Sequence, residues 1–153
     1  MDLRPTVRFK LDDFVIKQSK RLKIDFTPTR AYDTDAGADI RCREGFTLKA
    51  HGFITIDTGV HIELPSTTKC EIKSKSGLWT NHGILTTGLI DEGFSGTIRV
   101  GLANLSDQDY TFEAGEKVTQ LCVSHVCYPT YVEASEIKAG KRGNAGYGST
   151  GRL

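Results

Sequence analysis

Apolar and polar residues alternate over short stretches along most of this chain, which is the period of a half-buried strand. Val7-Arg8-Phe9-Lys10-Leu11 and Leu22-Lys23-Ile24-Asp25-Phe26 both read as strands with basic side chains facing water. Further strands are predicted at 40–42, 46–48, 53–57, 60–64 and 70–73, and then at 97–103, 110–112, 117–126 and 131–132. Gly, Pro, Ser or Asp punctuate most of the gaps, and Pro28, Asp33, Asp35, Gly37 and Asp39 make the segment before the first central strand turn-rich. No window sustains an i, i+3, i+4 apolar stripe beyond a turn or two, and residues 76–81 are the best short-helix candidate. Many short strands separated by turns predict an all-β sandwich or barrel-like jelly roll with at most one short helix.

One stretch interrupts the alternation. Gly88-Leu89-Ile90-Asp91-Glu92-Gly93-Phe94-Ser95-Gly96 carries three glycines and a serine, so a sharp turn is expected, with Thr97–Leu102 returning as a strand. A carboxylate at such a turn, beside an aromatic ring and open backbone groups, can hold a planar ligand and activate a water. It can equally be an ordinary hairpin whose Asp satisfies turn amides. Residues 141–151 differ again, because four glycines among eleven residues cannot build a core. That segment nevertheless carries Arg142, Tyr147 and a Ser-Thr pair. Charge, stacking and close backbone approach would all serve a segment that orders over an anionic ligand, while a frayed terminus would need none of them.

Composition narrows the classes. At 153 residues the chain fits a single domain, with a motif-bearing core over 31–140 and a mobile tail over 141–153. Twenty basic against 19 acidic residues create no global field toward nucleic acid or membrane. The cluster Lys17, Lys20, Arg21 and Lys23 reads as a solvated face, since Asp12, Asp13 and Asp25 are interspersed and no aromatic platform accompanies it. No apolar run approaches the ~20 residues of a spanning helix, and the charged start lacks a signal-peptide core. A cytoplasmic protein is expected (nuclear or in host cytosol if viral), not a secreted one. Cys42, Cys70, Cys122 and Cys127 show no C-x-x-C spacing and read as buried, reduced thiols. His51, His61, His82 and His125 are too dispersed to mark a metal cluster.

Five segments taken in order resemble the five motifs of the trimeric dUTPase family. They are Ala36-Gly37-Ala38-Asp39-Ile40, Lys75-Ser76-Gly77-Leu78, Gly88 through Gly96, Gly115-Glu116-Lys117-Val118-Thr119-Gln120-Leu121, and Arg142-Gly143 through Gly151. The likeness runs from about Ala31 to Gly151, and the first thirty residues carry no motif. It implies a distorted jelly-roll (β-clip) barrel and hydrolysis of dUTP to dUMP and pyrophosphate with Mg²⁺. It also implies a homotrimer whose active sites lie at subunit interfaces, the C-terminal tail reaching a neighbouring subunit.

By that resemblance Asp91 is the catalytic base that deprotonates the water attacking the α-phosphorus. Lys75, Ser76 and the Gly77 amide hold phosphates, and Gln120 adds a hydrogen bond. A hairpin over 87–99, including Thr87, Leu89, Ile90 and Arg99, selects uracil through backbone groups, since cytosine reverses the donor–acceptor pattern. Phe94 lies under the deoxyribose. Tyr147 closes over the base and Arg142 reaches the γ-phosphate, with Gly148 and Ser149 completing the substrate-binding set. Mg²⁺ rides on phosphate oxygens and water rather than on direct protein ligands, leaving Asp39 as a structural or second-sphere carboxylate.

Four positions depart from the common pattern. Lys75 stands for Arg, Phe94 for Tyr, Gly93 for a frequent Asp, and Tyr147 for Phe. Two rivals remain. A dCTP deaminase-like enzyme would need a Glu where this chain has Gly101, and a dUTP-binding regulator would act on a protein partner that no feature identifies.

Overall fold

In the computed structural model, which describes residues 5–145, ten strands and two helices succeed one another. The first strands are β1 (Arg8–Leu11), β2 (Ala38–Arg41), β3 (Phe46–Leu48), β4 (Phe53–Asp57) and β5 (Val60–Glu63). They are followed by β6 (Thr68–Lys73), β7 (Ile84–Ile90), β8 (Arg99–Asn104), β9 (Tyr110–Phe112) and β10 (Lys117–His125). The helices are α1 (Asp13–Leu22) and α2 (Ser76–His82). A six-stranded sheet runs in the order β2-β10-β6-β7-β8-β4, and β1-β5 and β3-β9 form separate pairs. Every pairing among the named strands is antiparallel.

Burial follows the two-residue side-chain period. β6 buries Thr68, Cys70 and Ile72, and β8 buries Val100, Leu102 and Asn104. Cys70, Ile72, Val100 and Leu102, with Ile40, Leu48, Val60, Ile84, Ile98 and Phe112, fill one apolar core enclosed by the curled sheet. This is the all-β jelly-roll class that the alternation predicts.

The helix count differs from expectation, because α1 is a second helix where at most one is predicted. Asp13 in its first turn and Lys20 and Arg21 in its last complement the helix dipole, yet Val15 is its only buried side chain. One anchor is no stripe, which is why the periodicity passes over it. The strand expected at Leu22–Phe26 is accordingly absent. Lys23 ends the helix in the left-handed region at φ 56°, and the Ile24 N–H folds back to the Ser19 carbonyl at 3.2 Å. Phe26 then drops into the interior.

The strand expected at 131–132 is also absent, with Tyr131 90% and Val132 82% exposed. From 127 to 145 every residue is exposed. The cysteines divide. Burial pushes the thiols of Cys42 and Cys70 up to about 11 and about 12, respectively, whereas Cys122 is half-buried and Cys127 exposed. All four are free thiols, so the expectation of burial holds for two of them.

Candidate active site

The glycine-rich stretch is not one tight turn. Gly88 lies inside β7, where a Cβ would come within 3.0 Å of Ile72 Cδ1 on the neighbouring strand. β7 pairs with β8 only through Ile84–Thr86, while Thr87–Ile90 pair with β6 on the opposite edge. From Thr87 onward the β7–β8 arms therefore splay apart. The β7 edge that has lost its strand partner leaves main-chain N–H and C=O groups facing the gap. That gap is a pocket of about 260 Å³ lined by Ile72, Thr87, Gly88, Leu89, Ile90, Asp91, Phe94, Thr97, Ile98 and Arg99.

The turn at the tip explains why Asp91 can act on something other than its own loop. The Phe94 N–H bonds the main-chain carbonyl of Asp91 at 3.2 Å, not its side chain, and Gly93 takes φ +87° to complete the bend. Among the described residues no donor is bonded to the Asp91 carboxylate, which lines the pocket. Beside it Phe94 is 46% and Leu89 58% exposed, an apolar lining that no described residue covers. Phe94 also lies over Gly96, whose Cβ would meet the ring at 2.7 Å. The adjoining Glu92 has a different task. Its carboxylate accepts the Tyr128 hydroxyl at 2.5 Å and the Thr67 N–H at 2.9 Å, and these bonds hold it below the usual carboxylate range. Glu92 thereby ties the loop to the β5–β6 turn and to the chain just beyond β10.

A second group forms where β2, β6 and β10 end. Asp39, its side chain 11% exposed, pairs with Lys75 through one carboxylate oxygen and with Lys117 Nζ at 2.7 Å through the other. Partial burial opposes the charge on Asp39, but the two ammonium groups outweigh it and hold the carboxyl below its ordinary value. A hydrogen-bonded chain fixes the segment that presents Lys75. The Thr86 N–H donates to Ser74 Oγ at 2.8 Å, and Ser74 Oγ returns a bond to the Thr86 carbonyl at 3.1 Å. Thr119 Oγ1 donates to the Lys73 carbonyl at 2.8 Å, so Thr86 is the donor in its 2.8 Å bond to Thr119. Gln120 Nε2 donates to the Ser74 carbonyl at 2.9 Å. Ser76 and Gly77 open α2 immediately after, and a Cβ on Gly77 would meet nothing within 4 Å. Packing among the described residues gives no reason for a glycine there.

The structure thus gathers the expected residues into two sets. Asp91, Thr87, Leu89, Ile90, Phe94 and Arg99 share the pocket, whereas Lys75, Ser76, Gly77 and Gln120 do not line it. Arg142 is exposed, and Tyr147, Gly148 and Ser149 lie outside the described residues. Sequence reasoning did not single out Ile72, Thr97 and Ile98 as pocket walls, or Lys117 as the partner of Asp39. Lys117 falls inside a recognised motif and Thr97 and Ile98 inside the expected 87–99 hairpin, but only the β6–β7 register shows that Ile72 backs Gly88. Among the described residues no three His, Cys, Asp or Glu side chains are placed to hold a metal, and both oxygens of Asp39 are engaged by lysines.

Comparison with known proteins gives the same direction throughout. A family model described as dUTPase matches residues 26–151. Deoxyuridine 5'-triphosphate nucleotidohydrolases from Clostridium novyi (strain NT) and Cytophaga hutchinsonii are 38% and 39% identical over 127 and 129 residues. Those alignments span 81% and 80% of this chain and 89% and 84% of the relatives. Among solved structures, a mutant Staphylococcus bacteriophage 80alpha dUTPase with dUpNHpp superposes with a TM-score of 0.81 at 23% identity, covering 95% of this chain and 98% of that one. A mutant dUTPase from phage phi11 of S. aureus, whose structure describes coordination of a structural Mg(II) ion, gives a TM-score of 0.73 at 20% identity, covering 88% and 99%.

Proposed function

Because the chain belongs to the dUTPase family and is thereby a dUTP-hydrolysing enzyme, we propose that it cleaves dUTP to dUMP and pyrophosphate with Asp91 as general base. The Asp91 carboxylate takes a proton from a water, the oxygen of that water bonds to the α-phosphorus, and the α–β bridging bond breaks to release pyrophosphate. Mg²⁺ bound to the triphosphate supplies neutralisation of phosphate charge. The observation that carries the reading is the unpaired β7 edge, which faces a pocket that also holds Asp91 and Phe94. A free strand edge can pair with the uracil edge as another base would, and Phe94 packs against the deoxyribose where a 2′-hydroxyl would not fit. Pyrophosphate release across dUTP, dCTP, dTTP and UTP tests it. Preference for dUTP over dCTP of ~10⁴ is expected, because cytosine leaves main-chain groups unpaired. Comparable rates on the two pyrimidines would remove the edge-reading role.

Lys75, Ser76, the Gly77 amide and Gln120 form the phosphate-binding half. On this reading Lys75 exchanges Asp39 for substrate oxygens, and Lys117 keeps the partly buried carboxylate neutralised when it does. Arg142, Tyr147, Gly148 and Ser149 of the tail cover the bound nucleotide.

The two halves belong to different copies of the chain in a homotrimer. Lys73 pairs with Thr87, and four residue steps, about 13 Å of extended chain, separate Thr87 from Asp91. The phosphate half therefore sits beyond the wrong end of β7 for its own Asp91. Mixing two inactive variants, Asp91→Asn and Lys75→Ala, checks this. After unfolding and joint refolding, about a quarter of the sites should combine an intact Asp91 with an intact Lys75 and regain turnover. If both halves came from one chain, no reassorted site would be complete and the mixture would stay inactive.

A further inference from the structure

The N-terminal unit, β1 with α1, lies outside the motif-bearing segments but reaches the Asp91 loop through one side chain. His61, half-buried on β5, bonds the Ser95 carbonyl through Nδ1 at 2.9 Å and Asp12 Oδ1 through Nε2 at 2.8 Å. A carbonyl and an ionised carboxylate both accept only, so both ring nitrogens must donate. Neutral imidazole has one donor, and only the imidazolium can make the two bonds together. Asp12 supplies an independent sign of this arrangement. It occupies the N-cap of α1 with extended backbone, φ −66° and ψ 155°, yet its side chain makes no capping bond and is turned to His61 instead. The unit behind it is firmly seated. The Asp12 N–H bonds the Gly59 carbonyl at 2.9 Å, and fully buried Val15 lies so close over Gly59 that a Cβ there would be 2.4 Å from its Cγ2.

We propose that His61, as an imidazolium held between Asp12 and Ser95, is a positioning residue that fixes the 91–96 loop against the β1–α1 unit. Its effect on catalysis rests on the assignment of Asp91 and Phe94 made above, since that loop carries both. The surrounding charges are consistent with a cation. The Ser95 carbonyl first, then the Asp12 carboxylate, raise the His61 pKa, and partial burial and Lys10 oppose them without prevailing. Lys10 faces His61 across the β1–β5 register, Arg8 and Glu63 neutralise each other at the pair Arg8↔Glu63, and Glu92 on the loop is occupied by Tyr128 and Thr67. Asp13 at the start of α1 and Asp91 in the loop are the other carboxylates on these elements, and neither is bonded to His61. A raised folded-state pKa means that the clamp is complete at low pH and is lost as pH rises through the His61 midpoint.

Two measurements on the full chain test this. The His61 imidazole is followed by NMR from about pH 5 to about pH 9, in wild type and in Asp12→Asn. The expected midpoint lies above the ordinary ~6.5, and Asp12→Asn lowers it. In parallel, kcat and KM for dUTP are measured over the same range for wild type and His61→Gln. Wild-type kcat should show an alkaline decline at the NMR midpoint. His61→Gln should lack that decline and have kcat reduced on the order of tenfold, with KM moved less. A midpoint at or below the ordinary value overturns the proposal, as does a His61→Gln pH profile that superimposes on wild type. The NMR readout does not involve turnover, so a normal midpoint shift beside a fully active Asp91→Asn enzyme would overturn the base assignment and, with it, the catalytic role of the clamp.

Discussion

Asp91→Asn is expected to lower dUTP turnover by about 10²–10⁴-fold, the usual contribution of a positioned general base, while the nucleotide still binds. Asparagine has nearly the shape of aspartate and can hold a water, but it cannot take a proton from it. The binding surfaces stay as they were, because the unpaired β7 edge is main chain and Phe94 is supported through the loop and Gly96 rather than through Asp91. The effect should therefore fall on kcat, with the dissociation constant for a non-hydrolysable dUTP analogue nearly unchanged. Calorimetric binding and single-turnover pyrophosphate release separate the two. A variant that retains near-normal turnover would remove Asp91 from its role. A large loss of binding would show instead that the carboxylate holds the substrate. The loop's tip favours lost turnover with binding retained, since the Phe94 N–H satisfies the Asp91 carbonyl and leaves the side chain to the pocket.

What could be read from the sequence, and what could not, divides along the range of the interactions involved. Most strands were legible because each buries alternate side chains against one core, but β7 was not, since Gly88 and the residues after it read as a turn. Segments such as β6 and β8 announce that face locally through Cys70 and Ile72 or Val100 and Leu102. α1 was not legible, because a helix docked by Val15 alone carries no period. Tyr131 and Val132 mimicked a strand, since β-propensity reports what could pair rather than whether an edge is available. In the site, Asp91 and Phe94 stood out through the glycines around them. The pocket itself depends on where β8 leaves β7, a feature of register beyond local pattern. The pairing of Asp39 with both Lys75 and Lys117 needs three segments brought together by the sheet order β2-β10-β6. His61 gave no signal, because its partners Asp12 and Ser95 are 49 and 34 residues away.

Deleting residues 142–153 should leave a folded protein that has lost most of its activity. The apolar core ends with Leu121 on β10, and Val123 is the last side chain packed against it. From 127 through 145 every residue is exposed, so none of the described residues in the deleted segment is buried against the sheet. Thermal unfolding followed by circular dichroism should show an unchanged midpoint. Turnover is a different matter. Leu89 and Phe94 leave an apolar wall open to water, and no described cation lines the pocket except Arg99. On the proposed reading Arg142 and Tyr147 supply that charge and an aromatic cover, and their loss would expose the nucleotide to solvent and to misorientation. Loss of such a covering segment is expected to reduce kcat/KM by ~10²-fold or more, because small displacements of a reacting group already have effects of that size. Restoring the segment as Arg142→Ala or Tyr147→Ala separates charge from stacking. The first should weaken binding of the triphosphate more than that of dUMP, and the second should weaken both alike. A truncated chain that unfolds would make the tail part of the scaffold, and one that keeps full activity would show that the pocket closes without it.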